Sequence, residues 1–346
     1  MTQAPNPQRA TLERLVEGQS LSETESFELL LALTDGVLAP AVAGALLAAL
    51  RAKGVSADEL RGFARGMRSL ARRPQLPDVG ATVDVVGTGG DASHTFNLST
   101  GAALLAVAAG ARVTKHGNRS VSSRSGSADL LEALGLPMPL DEASAGRCLA
   151  ATGFTFLFAP HYHPAMKAVA PVRAALGIRT VFNMLGPLTN PAEPPFHVIG
   201  AFSRPAARLM ADALAGMPIE RAFVVHGEPG WDEPTPAGPF LLYDVRPGRV
   251  SESVRSAADY GLAACRPEDL KGGDAAHNAA ALGAVFAGRD RGAHRDALVM
   301  GASLALEVTG LAAGARAGAA RAAAAIESGA AAGLVRSLAA LPGHAK

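Results

Sequence analysis

From Thr82 onward the chain alternates short β-branched runs with apolar helical ones, and this alternation constrains its fold more than any other feature. Strand-like runs fall at 82–86 (TVDVV), 111–114, 154–158, 198–202 and 222–225. Strands joined by helical crossovers build a mostly parallel sheet covered by helices. In such sheets ligands bind outside the carboxyl ends of the strands. The polar clusters 87–91, 115–119, 161–163 and 226–233 sit mostly at those ends.

Two of these clusters open glycine-, serine- and threonine-rich loops, GTGGDASHTFNLST and KHGNRSVSSRSGS, each followed by a helical run. Backbone N–H groups at helix N-termini hold phosphate without a large positive charge. In the first loop Gly87, Gly89 and Gly90 suit positive φ and close ligand approach. Ser99 or Thr100 is expected to cap a helix starting near Gly101. No Gly-Lys-Ser/Thr follows, so this is not a Walker A loop. The second loop adds Lys115, Arg119 and Arg124 to its hydroxyls, with Ser127 the expected cap of a helix through Leu134; charge and donors together suit a phosphate monoester. The pair suggests a ligand phosphorylated at both ends.

Ahead of the first strand, residues 10–73 read as helical. Leu12, Leu15 and Val16, then Phe27, Leu30 and Leu31, recur at the spacing of an amphipathic helix. Ser20 and Ser22 are expected N-caps and Gly18 and Gly36 expected stops. The stretch PAVAGALLAALRAKG is apolar on nearly every face, which suits burial in a core or against a second subunit. PQLP (74–77) reads as a linker, and 166–190 breaks the α/β rhythm in a way that allows a return to the first helical block. Residues 278–341 are Ala-rich and read as helices that cover the sheet.

Composition narrows the function. With 346 residues, 49% apolar and 18% charged, the chain can bury a sizeable core. A net charge of +1 and one Trp argue against a general nucleic-acid or membrane-surface binder. The apolar run 37–50 is too short to span a bilayer. Two cysteines, Cys148 and Cys265, without metal-ligand spacing fit a reducing cytoplasm.

Taken in order, GTGGD…TFNLST, KHGNRSVSSRSGSADLLEALG, FAPHYHPAMKAVAPVRAALGIRTVFNMLGPLTNP and HGEPGWDE resemble the anthranilate phosphoribosyltransferase family of tryptophan biosynthesis. The resemblance runs from the N-terminal helices to about Ser328. It implies an α/β fold of the nucleoside phosphorylase/phosphoribosyltransferase type. A small helical domain (1–73 plus about 166–190) would form a homodimer interface and face a larger α/β domain (78–165 plus about 191–346) across the active-site cleft. It implies transfer of phosphoribose from 5-phosphoribosyl 1-diphosphate (PRPP) to the amine of anthranilate, with Mg²⁺, two ions per subunit, as cofactor.

By the same resemblance, Gly87, Gly90, Asp91, Thr95, Asn97, Leu98, Ser99 and Thr100 contact PRPP, chiefly its diphosphate. Lys115, His116, Gly117, Asn118, Arg119, Ser120, Val121, Ser122, Ser123 and Ser127 complete that site. Gly87, Asn118, His163, Arg173 and Gly186 receive anthranilate, His116 is the candidate proton acceptor, and Ser99, Asp232 and Glu233 ligate metal. The chemistry suits these residue types. Diphosphate leaves readily once its charge is neutralised, Mg²⁺ takes a few hard oxygen ligands, and an Arg offers a planar fork to a carboxylate. A pyrimidine nucleoside phosphorylase and a catalytically silent nucleic-acid-binding relative share the implied fold. Asn118 with Arg173 favours anthranilate over the first, and the motif set and net charge oppose the second. Pro229, Trp231, Pro234 and Pro236 make the metal loop stiffer and bulkier than the family pattern, and His94 also departs from it.

Overall fold

The structure, a computed structural model, describes residues 7–91, 93–120, 124–228 and 230–341. Four helices open it: α1 (Pro7–Val16), α2 (Glu23–Thr34), α3 (Pro40–Lys53) and α4 (Ala57–Ser69). Ser22 caps α2 reciprocally, accepting from the Glu25 N–H while the Glu25 carboxylate accepts from the Ser22 N–H. Ser56 and Glu59 repeat the device at α4. Ser20, the other expected cap, instead accepts from Lys53 Nζ at 3.2 Å. Gly18 and Gly36 take φ of 79° and 76° just past α1 and α2, as expected of stops.

A seven-stranded sheet follows in the order β3-β2-β1-β4-β5-β6-β7. Its strands are β1 (Val83–Gly87), β2 (Val113–Gly117), β3 (Phe154–Phe158), β4 (Phe196–Gly200), β5 (Arg221–Gly227), β6 (Phe240–Arg246) and β7 (Arg249–Arg255). The five runs expected from the sequence are the five parallel strands, with β2 starting at Val113 rather than 111 and β4 at Phe196 rather than 198. The antiparallel β6–β7 hairpin was not anticipated. Its outer strand, RVSESVR, is mostly exposed, so it lacks the apolar alternation that marks a half-buried strand.

Between and after the strands run α5 (Leu98–Ala108), α6 (Ser127–Ala133), α7 (Glu142–Thr152), α8 (Ala159–Tyr162), α9 (Met166–Leu176), α10 (Phe182–Leu185) and α11 (Arg204–Ala215). The chain closes with α12 (Ala275–Phe286), α13 (Ala293–Val308), α14 (Ala315–Glu327) and α15 (Ala330–Ala339). Alternate strand residues feed two cores, as the period of two requires. Val83, Val85, Phe223 and Val225 pack with α5 and the C-terminal helices. Val86, Ile199 and Val224 join α11 and the opening helices in one cluster that includes Leu30, Leu46, Phe63 and Met210. Segment 166–190 reaches that cluster too: α9 packs on α2 and α3, and α10 on α4.

Candidate active site

Residues 231–233 lie across the carboxyl ends of the parallel strands, and glycine at the strand ends makes room for them. A Cβ on Gly200, the last residue of β4, would overlap the Asp232 carbonyl, and one on Gly227, the last of β5, would overlap that of Glu233. Gly87, expected in a positive-φ turn, is instead the extended end of β1, where a Cβ would overlap the Asp232 carboxylate. Gly89 and Gly90 do take positive φ, 69° and 75°. Trp231 is buried in the core and its backbone exchanges hydrogen bonds with Gly227 at 2.9 and 3.0 Å, so it anchors this loop. Pro229 lies outside the described residues.

The loop is tied to the first phosphate cradle by its own carboxylates. Asp232 Oδ2 accepts from the Gly89 N–H at 2.6 Å, and Asp91 Oδ2 accepts from the Asp232 N–H at 3.2 Å. Glu233 Oε1 accepts from the Ser99 N–H at 3.2 Å, in the first turn of α5. The Glu233 carboxyl therefore already occupies that helix N-terminus. Burial pushes both carboxyls well above the ordinary range; Asp91 adds to the effect on Asp232, and Asp232 to that on Glu233. Lys115, buried on β2, offsets Glu233 in part, donates to the Val85 carbonyl, and is itself pushed down by burial. The described residues contain no group of three or more His, Cys, Asp or Glu ready to hold a metal. The set fits a hydrated Mg²⁺, which needs only a few protein oxygens and completes its shell with water and phosphate.

The capping expectations need correction. The N-cap of α5 is Asn97, which places Ser99 and Thr100 in the first turn; that of α6 is Gly126, which makes Ser127 the first helical residue. Thr100 Oγ1 donates to Ser127 Oγ at 3.0 Å and joins the two helix starts directly. Leu98 is buried and its N–H is taken by the Phe96 carbonyl, so its side chain belongs to the core. Thr95 pairs with Lys271 and shares a hydroxyl contact with Ser93 at 3.2 Å. His94 takes a φ of 51° within this loop.

In the second loop the Arg119 guanidinium donates to Asp129 at 2.9 Å and to Glu132 at 2.6 and 2.5 Å. Asp129 also accepts from the Ser120 and Gly126 N–H groups at 3.1 and 2.8 Å and so closes the loop on α6. Asn118 Oδ1 accepts from the Arg119 N–H at 2.7 Å. Val121, Ser122 and Ser123 lie outside the described residues.

On the acceptor side His116, beside Gly117 at the end of β2, meets the Gly186 carbonyl through Nδ1 at 3.0 Å and packs edge-on against His163 at 5.0 Å. Burial, then His163, pushes His116 down to about 3, and burial pushes His163 down to about 4. Both rings are therefore neutral at neutral pH. Arg173 on α9 lies over the Phe182 ring at 5.2 Å without a carboxylate partner among the described residues.

Four residues the sequence reading passed over support the site. Asp84, fully buried in β1, accepts from the His116 N–H at 3.2 Å and from Asn190 Nδ2 at 2.8 Å; burial pushes it up to about 6. A charged residue inside the run TVDVV was its signal. Asn190 also donates to the Thr114 carbonyl at 2.7 Å. Arg179 donates to the Gly90 carbonyl while stacking on Phe202 at 4.3 Å. Asn278, in the stretch read as plain covering helix, reaches Asn97 at 2.7 Å.

Two helix starts joined at a sheet's carboxyl edge, under a buried acidic loop and beside a helical bundle, define a phosphate-handling transferase of glycosyl groups. The models of one such family agree: glycosyl transferase family, helical bundle domain, matches residues 9–71, and glycosyl transferase family, a/b domain, matches 79–332. The chain is 48% identical to an anthranilate phosphoribosyltransferase of Rubrobacter xylanophilus over 302 residues, 87% of this chain and 88% of that one. The crystal structure of that enzyme from Thermus thermophilus matches with a TM-score of 0.89 at 41% identity, covering 95% of this chain and 98% of its own. The Saccharomyces cerevisiae enzyme in complex with PRPP and Mg matches at 0.87 and 26% identity, covering 98% and 99%. The chain belongs to the anthranilate phosphoribosyltransferase family.

Replacing Asp84 with Ala leaves the buried His116 N–H without its acceptor and removes a counter-charge from Lys115. The expected loss is about 2–4 kcal/mol of folding stability, read as a lower urea midpoint with an unchanged slope. An unchanged midpoint contradicts the role given to Asp84.

Proposed function

We propose that the chain transfers the 5-phosphoribosyl group of PRPP to the amine of anthranilate, giving N-(5-phosphoribosyl)anthranilate and diphosphate, as a step of tryptophan biosynthesis. The observation that carries this reading is the Asp232–Glu233 pair, the first buried and the second partly so, clasped to Gly89 and to the first turn of α5 with one buried lysine as partial counter-charge. Buried carboxylates held so far above their ordinary pKa are poised for a cation.

Ser99, Asp232 and Glu233 would hold magnesium, two ions per subunit in our reading. When bound, the metal supplies charge neutralisation to the leaving diphosphate. The chain's own groups do the rest. The Gly89 and Ser99 N–H groups, held here by Asp232 and Glu233, would pass to the donor's phosphate oxygens as those carboxylates turn to metal, with Lys115, Asn97 and the Thr100–Ser127 hydroxyl pair completing the cradle. The C1–O bond to diphosphate breaks as the amine nitrogen bonds C1 from the opposite face, with oxocarbenium-like charge between the two events. The ammonium then gives its proton to the departing diphosphate or to solvent water. His116 and His163, neutral and buried beside Gly186, line the acceptor's place; a ring with a pKa near 3 orients an amine well but holds its proton poorly.

The helical unit, 1–73 with about 166–190, and the α/β unit would meet around this cleft, with Asn118 and Gly87 between donor and acceptor. Closure would exclude water that competes for C1. The helical unit also suits a homodimer, because α3 and α9 form an apolar surface groove lined by Pro40, Gly44, Ala48, Val172 and Leu176. No helix of the described residues is long and apolar enough to cross a membrane, and Cys148 and Cys265 are free thiols. We place the enzyme in the cytoplasm, without nucleic-acid or membrane partners.

Arg173→Ala is expected to raise the KM for anthranilate and spare that for PRPP. One charge-assisted contact is worth roughly 1.5–3 kcal/mol, or about 10–150-fold. Unchanged anthranilate kinetics would remove Arg173 from the acceptor site. The double variant Asp232→Asn with Glu233→Gln is expected to keep its fold, by circular dichroism and thermal melt, and to lose magnesium-dependent turnover. Full activity in that protein would exclude both side chains as required metal ligands.

A further inference from the structure

Asn278 lies one turn into α12, is 1% exposed, and sits far in sequence from either phosphate loop. Its side chain nevertheless ends on the first loop, and the hydrogen bonds around it form a chain with fixed direction. The Gly273 N–H donates to Asn278 Oδ1 at 2.7 Å. Asn278 Nδ2 donates to Asn97 Oδ1 at 2.7 Å, and Ser125 Oγ donates to the same oxygen at 3.1 Å. Asn97 Nδ2 then donates to the Ser125 carbonyl at 3.0 Å.

Both ends of this chain are backbone groups whose roles cannot reverse. An N–H can only donate and a C=O can only accept. A carboxamide is nearly symmetrical in shape, and either end of Asn97 would fit its place. Here the Gly273 N–H fixes which end of Asn278 is oxygen, and Asn278 in turn fixes which end of Asn97 is oxygen. The Ser125 carbonyl demands the same answer from the other side. Asn97 carries two amide hydrogens and Ser125 takes one; among the described residues the other has no protein acceptor. Asn97 is half-buried at the N-cap of α5, with no side-chain bond to its own helix.

Segment 270–278 is well placed for this task because it is built onto the same loop. The Phe96 N–H donates to the Leu270 carbonyl, and the Gly272 N–H to the His94 carbonyl, both at 3.0 Å. A Cβ on Gly272 would crowd the Thr95 carbonyl. The loop and the residue that polarises it therefore move as one unit.

We infer that Asn278 is a positioning residue for phosphate recognition: it locks the Asn97 carboxamide so that an N–H, not an oxygen, faces the phosphoribosyl donor. The inference rests on the reading of this cleft as the PRPP site. An anion requires donors around it, and a reversed Asn97 would present a lone pair to a phosphate oxygen. Asn278→Leu removes one of the two groups that hold Asn97 in this orientation and leaves the Ser125 carbonyl as the other, without adding charge. Asn278→Asp preserves the acceptor for the Gly273 N–H but sets an oxygen against Asn97 Oδ1 and drives the amide over.

The test is calorimetric binding of PRPP with magnesium to the full chain, beside the KM for anthranilate at saturating PRPP. Asn278→Leu is expected to weaken PRPP binding roughly 5- to 10-fold, and Asn278→Asp at least tenfold. The anthranilate KM stays within about twofold in both, since a lost donor group in the phosphate cradle does not touch the acceptor. Should the Leu variant not fold, the isosteric Asp variant carries the test. Wild-type affinity in the variants, or an anthranilate KM that rises as much as the PRPP dissociation constant, overturns the role of Asn278. Absence of PRPP binding in the unaltered protein overturns the reading of the cleft itself.

Discussion

The packing of two adjacent carboxylates against the edge of a parallel sheet is the constraint on which much of this structure depends. Asp232 is buried and Glu233 partly so; both are raised in pKa, and Lys115 offsets Glu233 only in part. Such a pair costs stability unless a cation or a set of N–H donors meets it. The fold supplies donors from the Gly89 turn and the start of α5, and the strand-end glycines Gly87, Gly200 and Gly227 let the acidic loop come close enough to use them. The loop therefore rests on the Gly89 turn and the start of α5, the cradle proposed for the donor's diphosphate.

A second set of contacts ties the acceptor side to the same strands. Asp84 joins β1 to the backbone of His116 on β2 and to Asn190 at the end of the 166–190 crossover. That crossover carries Arg173 and Gly186, and its Arg179 reaches the Gly90 carbonyl in the first loop. The first loop, the end of β2 and the 166–190 segment are thus linked by polar bonds, buried at Asp84 and Asn190 and exposed at Arg179. The buried ones are costly to break in a low-dielectric interior.

Much of this was legible in the residues. The β-branched runs gave the five parallel strands, because strands buried on both faces read as continuous apolar segments. The two polar loops stood out by composition, and the family resemblance singled out Arg173, Asp232 and Glu233 as candidates. The β6–β7 hairpin escaped notice because its outer strand is solvated and charged. The caps were misplaced by one to three residues: Asn97 and Gly126 hold positions that Ser99, Thr100 and Ser127 fit equally well by propensity. Sequence spacing likewise does not reveal that the Arg119 guanidinium is paired with Asp129 and Glu132 on α6. Asn278 was invisible for a similar reason, since its partner, Asn97, is near only after the sheet has formed.

The central claim is that this cleft joins PRPP to anthranilate with magnesium present. The most direct measurement follows the loss of anthranilate fluorescence together with diphosphate release, with protein, PRPP and magnesium each omitted in turn. The account predicts one diphosphate for each anthranilate consumed, and no change when any one component is left out. Anthranilate loss without PRPP, or none with all components present and the protein folded, would contradict it.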